Sequence, residues 1–336
     1  MAQEISSMQQ MPPFQLMELS YGLISTQALY VVAKLGIADL LSDGPKTAGQ
    51  LAALTGCDAD FLQRLLRFLV SKGVFAHSAG RFELNDVGSM LRADAPRSAR
   101  PMALYFGSAW NWNTWGNLLG SVTKGKTAFD LVHGAGFFEY IDTHADDAAI
   151  FSQYMDTLVR DFAKPVLMSY DFSQKKHLID IGGGHGALLL AALEANTGLR
   201  GTLFDLPKVV NGARAVVEGA GMQDRCTLIE GSFFESVPSG GDVYLLSNIL
   251  HDWDNEDCLR ILKNCRTAMG SDSSLLVCEA ILPDGDFSPI WLFDLVMLAL
   301  TGGRQRTVAQ FSALFQKAGL KLGQLNPLGL IEALPS

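Results

Sequence analysis

Two side chains in this 336-residue sequence have the types and surroundings of a proton-transfer site. His251 closes the apolar run Asp242-Val-Tyr-Leu-Leu-Ser-Asn-Ile-Leu and is followed by Asp252, Trp253 and Asp254. Histidine is the side chain best suited to take a proton near neutral pH. Downstream, Val277-Cys-Glu-Ala places Glu279 among apolar neighbours, where a carboxylate needs a partner. An imidazole held in one tautomer by that carboxylate is the economical pairing. Asp252 and Asp254 also read as caps of the helix that follows.

Such groups need a frame, and the frame is set by residues 178–186, Leu-Ile-Asp-Ile-Gly-Gly-Gly-His-Gly. A short apolar run that stops at clustered glycines and enters Ala187–Leu193 is a buried strand, a tight turn and a helix start. Free amides at that helix start face the crevice at the strand end. An open α/β sheet binding a nucleotide-like cofactor follows. Gly182-x-Gly184-x-x-Ala187 also satisfies the loose dinucleotide fingerprint, with Asp205 near the spacing of a ribose-binding acid. Asp205 also reads as a cap for the helix starting at Pro207, but the glycine turn ahead of it favours the ribose. In Gly231-Ser-Phe-Phe, an aromatic at a strand end lies either against a flat adenine ring or in the core.

The rest of the C-terminal half alternates. Strands are expected at 178–181, 202–205, 227–230, 243–247 and 274–280, with helices at about 186–196, 207–218, 254–269 and 307–318. This alternation predicts a doubly wound, mainly parallel sheet. The segments 320–325 and 329–334 predict a terminal hairpin.

Ahead of the sheet, 14–41 carries Leu16, Leu19, Leu23, Leu29, Val32 and Leu35 at helical spacing. Thr47 and Asp58 open two further helices, Gly73 closes the second, and 74–75 with 81–84 make two short strands around Ser-Ala-Gly. Helix, helix and β-wing form a winged helix. Between Ile37 and Ala95 seven acids face six bases, so no basic DNA-binding face exists and a dimerisation platform is expected. From 100 to 170 the chain is helical and aromatic-rich, including Trp110, Phe151 and Tyr154, a composition shared by cores and apolar ligand pockets.

Composition bounds the rest. A net charge of −9 argues against nucleic acid, and 48% hydrophobic residues indicate a globular chain. Met1–Pro13 reads as a frayed polar end without a secretory pattern. The apolar stretch 290–300 is short and carries Asp294, so no membrane span is expected. Five cysteines without CxxC spacing read as free thiols of a cytoplasmic protein, with no metal site.

Together these segments resemble the class I S-adenosylmethionine-dependent O-methyltransferases of the small-molecule type shared by plant caffeic-acid-type and bacterial natural-product enzymes. The ordered set is Asp-Ile-Gly-Gly-Gly-His-Gly, Phe204-Asp-Leu-Pro, Gly231-Ser-Phe-Phe, Leu250-His-Asp-Trp, Glu279-Ala-Ile-Leu-Pro and Thr301-Gly-Gly-Arg-Gln-Arg-Thr. The resemblance spans almost the whole chain. It implies a Rossmann-like α/β catalytic domain over 171–336, a helical linker over 100–170 that contributes to the substrate pocket, and a helical winged-helix domain over 14–99 that forms a homodimer. It implies S-adenosyl-L-methionine as cofactor, S-adenosyl-L-homocysteine as product, no metal, and a small aromatic acceptor methylated on oxygen by SN2 transfer.

By that resemblance His251 is the general base, with Glu279 orienting its ring and Gln305 beside it. Asp180, Gly182, Gly184, Asp205, Leu206, Ser232, Phe233 and Ser247 meet the cofactor, and Trp110, Phe151, Met155, Asp252, Phe293 and Met297 meet the acceptor. Three positions depart from the pattern. Ser232 stands where Asp is usual, Ser247 where plant members carry Lys, and Gln305 where a second Glu usually braces the histidine. Competing readings are a relative that uses the cofactor for hydroxylation, decarboxylation or cyclisation, an NAD-dependent oxidoreductase resting on the glycine pattern, and a DNA-binding regulator resting on the winged helix.

Overall fold

The computed structural model describes residues 12–283, 285, 288–326 and 328–336. The polar end expected over Met1–Pro13 lies outside them, apart from its last two prolines, which open the first helix. The chain divides into two compact units, one running to Asn113 and including Ala145–Thr157, the other comprising Thr114–His144 and Leu158–Ser336. The aromatic segment expected as one linker is therefore shared between them.

In the first unit Thr47 and Gln50 form a reciprocal capping box that starts the helix Ala48–Thr55, and Asp58 caps Ala59–Ser71 by accepting the N–H of Phe61. Strands β1 (Phe75–Ser78) and β2 (Arg81–Leu84) pair antiparallel as the expected wing. Val32, Ile37, Leu51, Leu66, Leu69, Phe75 and Phe82 fill the core. The long helix Pro12–Lys34 buries only Ala28, Val32 and Ala33. Leu16, Leu19 and Leu23, expected on its apolar stripe, are 56–78% exposed.

The second unit is built on a seven-stranded sheet of order β10-β11-β7-β6-β3-β4-β5. Strands β3 (His177–Ile181), β4 (Arg200–Asp205), β5 (Cys226–Glu230), β6 (Val243–Ser247) and β7 (Ser274–Cys278) run parallel. A short parallel pair, β8 (Ile281–Leu282) with β9 (Arg306–Thr307), lies outside this sheet. Strands β10 (Leu320–Leu325) and β11 (Leu330–Pro335) form the expected hairpin, and β11 joins β7 antiparallel.

Period-two alternation explains why both faces are covered. Ile179, Ile181, Tyr244, Leu246, Leu275 and Val277 pack against the helices Asn255–Ala268 and Val308–Lys317. Leu178, Leu203, Val243, Leu245 and Leu276 face the helices Ala187–Ala195 and Pro207–Gly219. The chain leaves β3 for β4 on one side, while β6 adds on the other. The carboxyl ends of β3 and β6 therefore bound the switch-point crevice where open α/β sheets bind ligands.

Candidate active site

The glycine corner occupies one wall of that crevice. Gly182 has φ +68° and donates its N–H to Phe204 O at 2.8 Å, extending the β3–β4 ladder by one residue before the turn. A Cβ there would sit 2.6 Å from Ile249 and 3.4 Å from Phe233, so glycine is required by both conformation and space. Beneath the corner Asp180 is 1% exposed, and its Oδ2 has no hydrogen-bond partner. Burial, with Asp205 adding repulsion, pushes its carboxyl up to about 7.

Asp205 ends β4 and closes the corner from the other side. Its Oδ2 accepts the Gly184 N–H at 2.8 Å and its Oδ1 the Leu206 N–H at 2.7 Å. Burial raises this carboxyl, and the two N–H donors oppose the shift. The residue before Pro207, Leu206, takes the N-cap position, so Asp205 is not the cap itself. Ser232 accepts the Phe234 N–H at 3.3 Å, shaping the loop after β5, while Asn264 fixes the Phe233 carbonyl at 2.8 Å. Ser247 stands last in β6, opposite Cys278.

These residues fit a cofactor with a cationic end and a ribose. The unpaired oxygen of the buried Asp180 carboxyl is available for a hydrogen bond from a cationic group. Each Asp205 oxygen keeps a second lone pair for a hydroxyl, and the glycine corner admits a close backbone approach. Among the described residues no cluster of metal-ligating side chains is present.

After β6, Asn248 adopts a left-handed φ of +54° and turns the chain into the short 3₁₀ turn Leu250–Asp252 that carries His251. The structure corrects the role expected of Glu279. Its Oε1 accepts the backbone N–H groups of Ile249 at 3.1 Å and Leu250 at 2.5 Å, and its Oε2 has no partner. Glu279 thus holds the turn, and the ring's partner is Gln305, whose side-chain nitrogen lies 3.1 Å from Nδ1. The physical reason is the orphaned amides at the start of a 3₁₀ turn, which a buried carboxylate satisfies more cheaply than a neutral ring does.

Burial, with a contribution from Arg306, lowers the His251 imidazole to about 4, so it is neutral at physiological pH. Burial likewise lifts Glu279 to about 7. Asp252 is held well above the usual carboxylate range by burial and by Glu279, and its Oδ2 lies 3.8 Å from His251 Nε2. Of the two aspartates, Asp254 caps the next helix by accepting from Glu256 and Asp257, whereas Asp252 belongs to the site.

Two residues of Thr301-Gly-Gly-Arg-Gln-Arg-Thr take roles that the sequence does not show. Arg306, 1% exposed, donates to the carbonyls of Leu250 at 2.7 Å and Trp253 at 2.8 Å, bracketing the histidine turn. A Cβ on Gly303 would overlap the His251 carbonyl, so glycine lets this loop lie directly on the turn, where Arg304 N–H bonds that carbonyl at 2.8 Å. Asp294 accepts the Gln305 backbone N–H at 2.8 Å. The paired arginines and glycines were the available signal for the first two. Asp294 had none.

The residues expected at the acceptor fall into two groups. On the first unit Trp110 packs edge-on to Tyr105, which stacks on Tyr154 and neighbours Phe151, with Met155 one helical turn beyond Phe151. On the second, Phe293 and Met297 share a face of the helix Trp291–Leu300, and Met297 O accepts the N–H groups of Thr301 and Gly302, which lead into the loop over His251.

Residues 115–321 match the O-methyltransferase domain family and residues 17–94 its dimerisation domain. The chain belongs to the O-methyltransferase family. It is 41% identical to the phenazine O-methyltransferase PhzM of Lysobacter antibioticus, over 95% of each chain. It is 38% identical to the mitomycin biosynthesis 6-O-methyltransferase of Streptomyces lavendulae, over 93% of this chain and 90% of that one. The solved neocarzinostatin O-methyltransferase NcsB1, in complex with S-adenosylmethionine and a naphthoic acid, superposes with a TM-score of 0.82 at 31% identity, covering 93% of this chain and 96% of that chain. A phenazine-1-carboxylate N-methyltransferase of Pseudomonas aeruginosa is 30% identical over 93% of each chain, so the family fold serves nitrogen acceptors as well as oxygen. This family member is an S-adenosylmethionine-dependent methyltransferase with the methyltransferase fold and a dimerisation domain.

Proposed function

We propose that the enzyme methylates a hydroxyl of a small aromatic secondary metabolite, with His251 as general base. The observation that carries this reading is a partly buried imidazole fixed on a turn at the carboxyl end of β6, beside the glycine corner and with the Gln305 amide 3.1 Å from its Nδ1. S-adenosylmethionine, when bound, supplies a methyl group already activated on a sulfonium. The chain's own residues do the rest: Asp180, Gly182, Gly184, Asp205, Leu206, Ser232, Phe233 and Ser247 hold the cofactor. Asp252, Phe293 and Met297 orient the acceptor, and His251 removes its proton. Alignment of this kind contributes on the order of 7–11 kcal/mol in favourable cases, and a general base about 10²–10⁴-fold.

The aromatic acceptors named for the phenazine and naphthoic acid relatives support a planar substrate. The domain reading is a dimerisation platform over 14–99, a pocket-contributing helical segment over 100–170 and a catalytic domain over 171–336. Exposed Leu16, Leu19, Leu23 and Phe61 support a homodimer through the first of these. A cytoplasmic location fits five cysteines that are all free, in a chain whose described helices are none of them long and apolar enough to cross a membrane.

The test is His251→Ala. Cofactor affinity by calorimetry is expected to stay within a few-fold, while methylation of accepted phenols falls by about 10²–10⁴. Unchanged turnover would remove the histidine from the mechanism. Measuring oxygen and nitrogen acceptors on the same carbon skeleton decides which atom is methylated.

A further inference from the structure

Resting on the reading of His251 as proton acceptor, we propose that the acceptors of this enzyme are hydroxyls that are already acidic, carried on electron-poor rings. The argument starts from what faces the imidazole. At Nδ1 stands the Gln305 amide, 3.1 Å away, which carries no charge. At Nε2 stands Asp252, whose Oδ2 is 3.8 Å away, beyond hydrogen-bond distance, and whose carboxyl is raised well above its ordinary range by burial and by Glu279. Glu279 has turned its bonded oxygen to the Ile249 and Leu250 amides, and Asp294 spends one oxygen on the Gln305 backbone. Arg304 meets His251 only through its backbone N–H. The charged side chain bonded into the same turn is Arg306, whose guanidinium grips the Leu250 and Trp253 carbonyls.

In the proton-transfer step the acceptor O–H bond breaks, its electron pair stays on oxygen, and the proton goes to Nε2. The Nε2 lone pair is available in the tautomer that carries its hydrogen on Nδ1, with the Gln305 amide oxygen, unpaired in the structure, turned to accept that hydrogen. An imidazolium and an oxyanion replace two neutral groups. Among the described residues no carboxylate is hydrogen-bonded to the ring to stabilise the imidazolium, a buried guanidinium lies nearby, and partial burial reduces the help of water. A base of low proton affinity works best on a proton of matching acidity. An ordinary phenol, near the tyrosine value of about 10, is a poor match. Gln305 is thus a positioning residue that keeps the ring oriented while withholding negative charge, and that choice selects the acceptor.

The experiment uses a series of ring-substituted 2-naphthols of matched size whose hydroxyl acidity spans several powers of ten, each assayed for kcat/KM with the full-length enzyme at one pH. The His251 imidazole is titrated in parallel by NMR without cofactor, its signal identified by loss in His251→Asn. Expected are a rise of about threefold in kcat/KM for each tenfold gain in acidity, and a ring that stays neutral at pH 5.5. Gln305→Glu is expected to flatten the slope and move the titration upward. Gln305→Met, free of any buried charge, is expected to keep the slope steep. A flat slope in the parent enzyme, or a ring titrating at the ordinary histidine value, overturns the proposal. If His251→Ala methylates the series at the parental rate, the base reading fails as well. A flat slope with an inactive His251→Ala sinks the acidity selection alone.

Discussion

Glu279 Oε1 accepts the N–H of Leu250 at 2.5 Å, so the carboxylate fastens the residue immediately before His251 and leaves the ring to Gln305. Orientation of the histidine is accordingly divided, with one side chain fixing the backbone and another the imidazole.

Removing the backbone anchor should unsettle the turn. Glu279→Leu orphans the amides of Ile249 and Leu250, at about 1–3 kcal/mol for each buried donor. Glu279→Gln keeps an acceptor oxygen and should retain most of that stability. Urea unfolding of the two variants checks this, and equal losses would mean that the hydrogen bonds are not what Glu279 contributes.

Gly303→Ala places a methyl group on the His251 carbonyl and forces the loop off the turn. A displacement of about 1 Å in a positioned group costs on the order of 10²-fold in rate. Methylation should fall by that order while circular dichroism and cofactor affinity stay close to the parent. Normal turnover would show that the loop shifts without disturbing the histidine.

The pH dependence of stability has an unusual component in Asp180. Its folded carboxyl sits at about 7, above the unfolded value near 3.9. A raised folded pKa means that the native state keeps a proton the unfolded state has released, so this group's contribution is lost as pH rises from about 4 to about 7. Asp180→Asn removes that loss. Its stability relative to the parent should therefore grow across the window, by up to about 4 kcal/mol, and level off above it. Denaturation series from pH 4 to 8 measure the difference. A constant offset would mean that Asp180 is ionised in the fold.

Much of this was legible in sequence because the signals are local. Apolar runs of four or five residues broken by glycines specify buried parallel strands, and the expected starts of β3, β4, β5, β6 and β7 fall within two residues of the observed ones. Thr47 and Asp58 mark helix starts through their own side chains, as do Thr307 and Asp254. The exposed leucines of Pro12–Lys34 were not legible, because periodicity reports an apolar face without reporting what covers it.

The sequence by itself determined the elements, their order and the residue types at the crevice: the glycine corner, Asp205, His251, Glu279 and Gln305 are all written in short segments whose chemistry is local. Only the tertiary structure decided which of them touch. Glu279 turned to backbone amides, Arg306 and Gly303 proved to shape the histidine turn, and Asp180 emerged as a buried carboxyl with an unpaired oxygen. Hydrogen-bond partners more than 25 residues apart are set by how strands and loops converge at the sheet's edge, and no local pattern encodes that convergence.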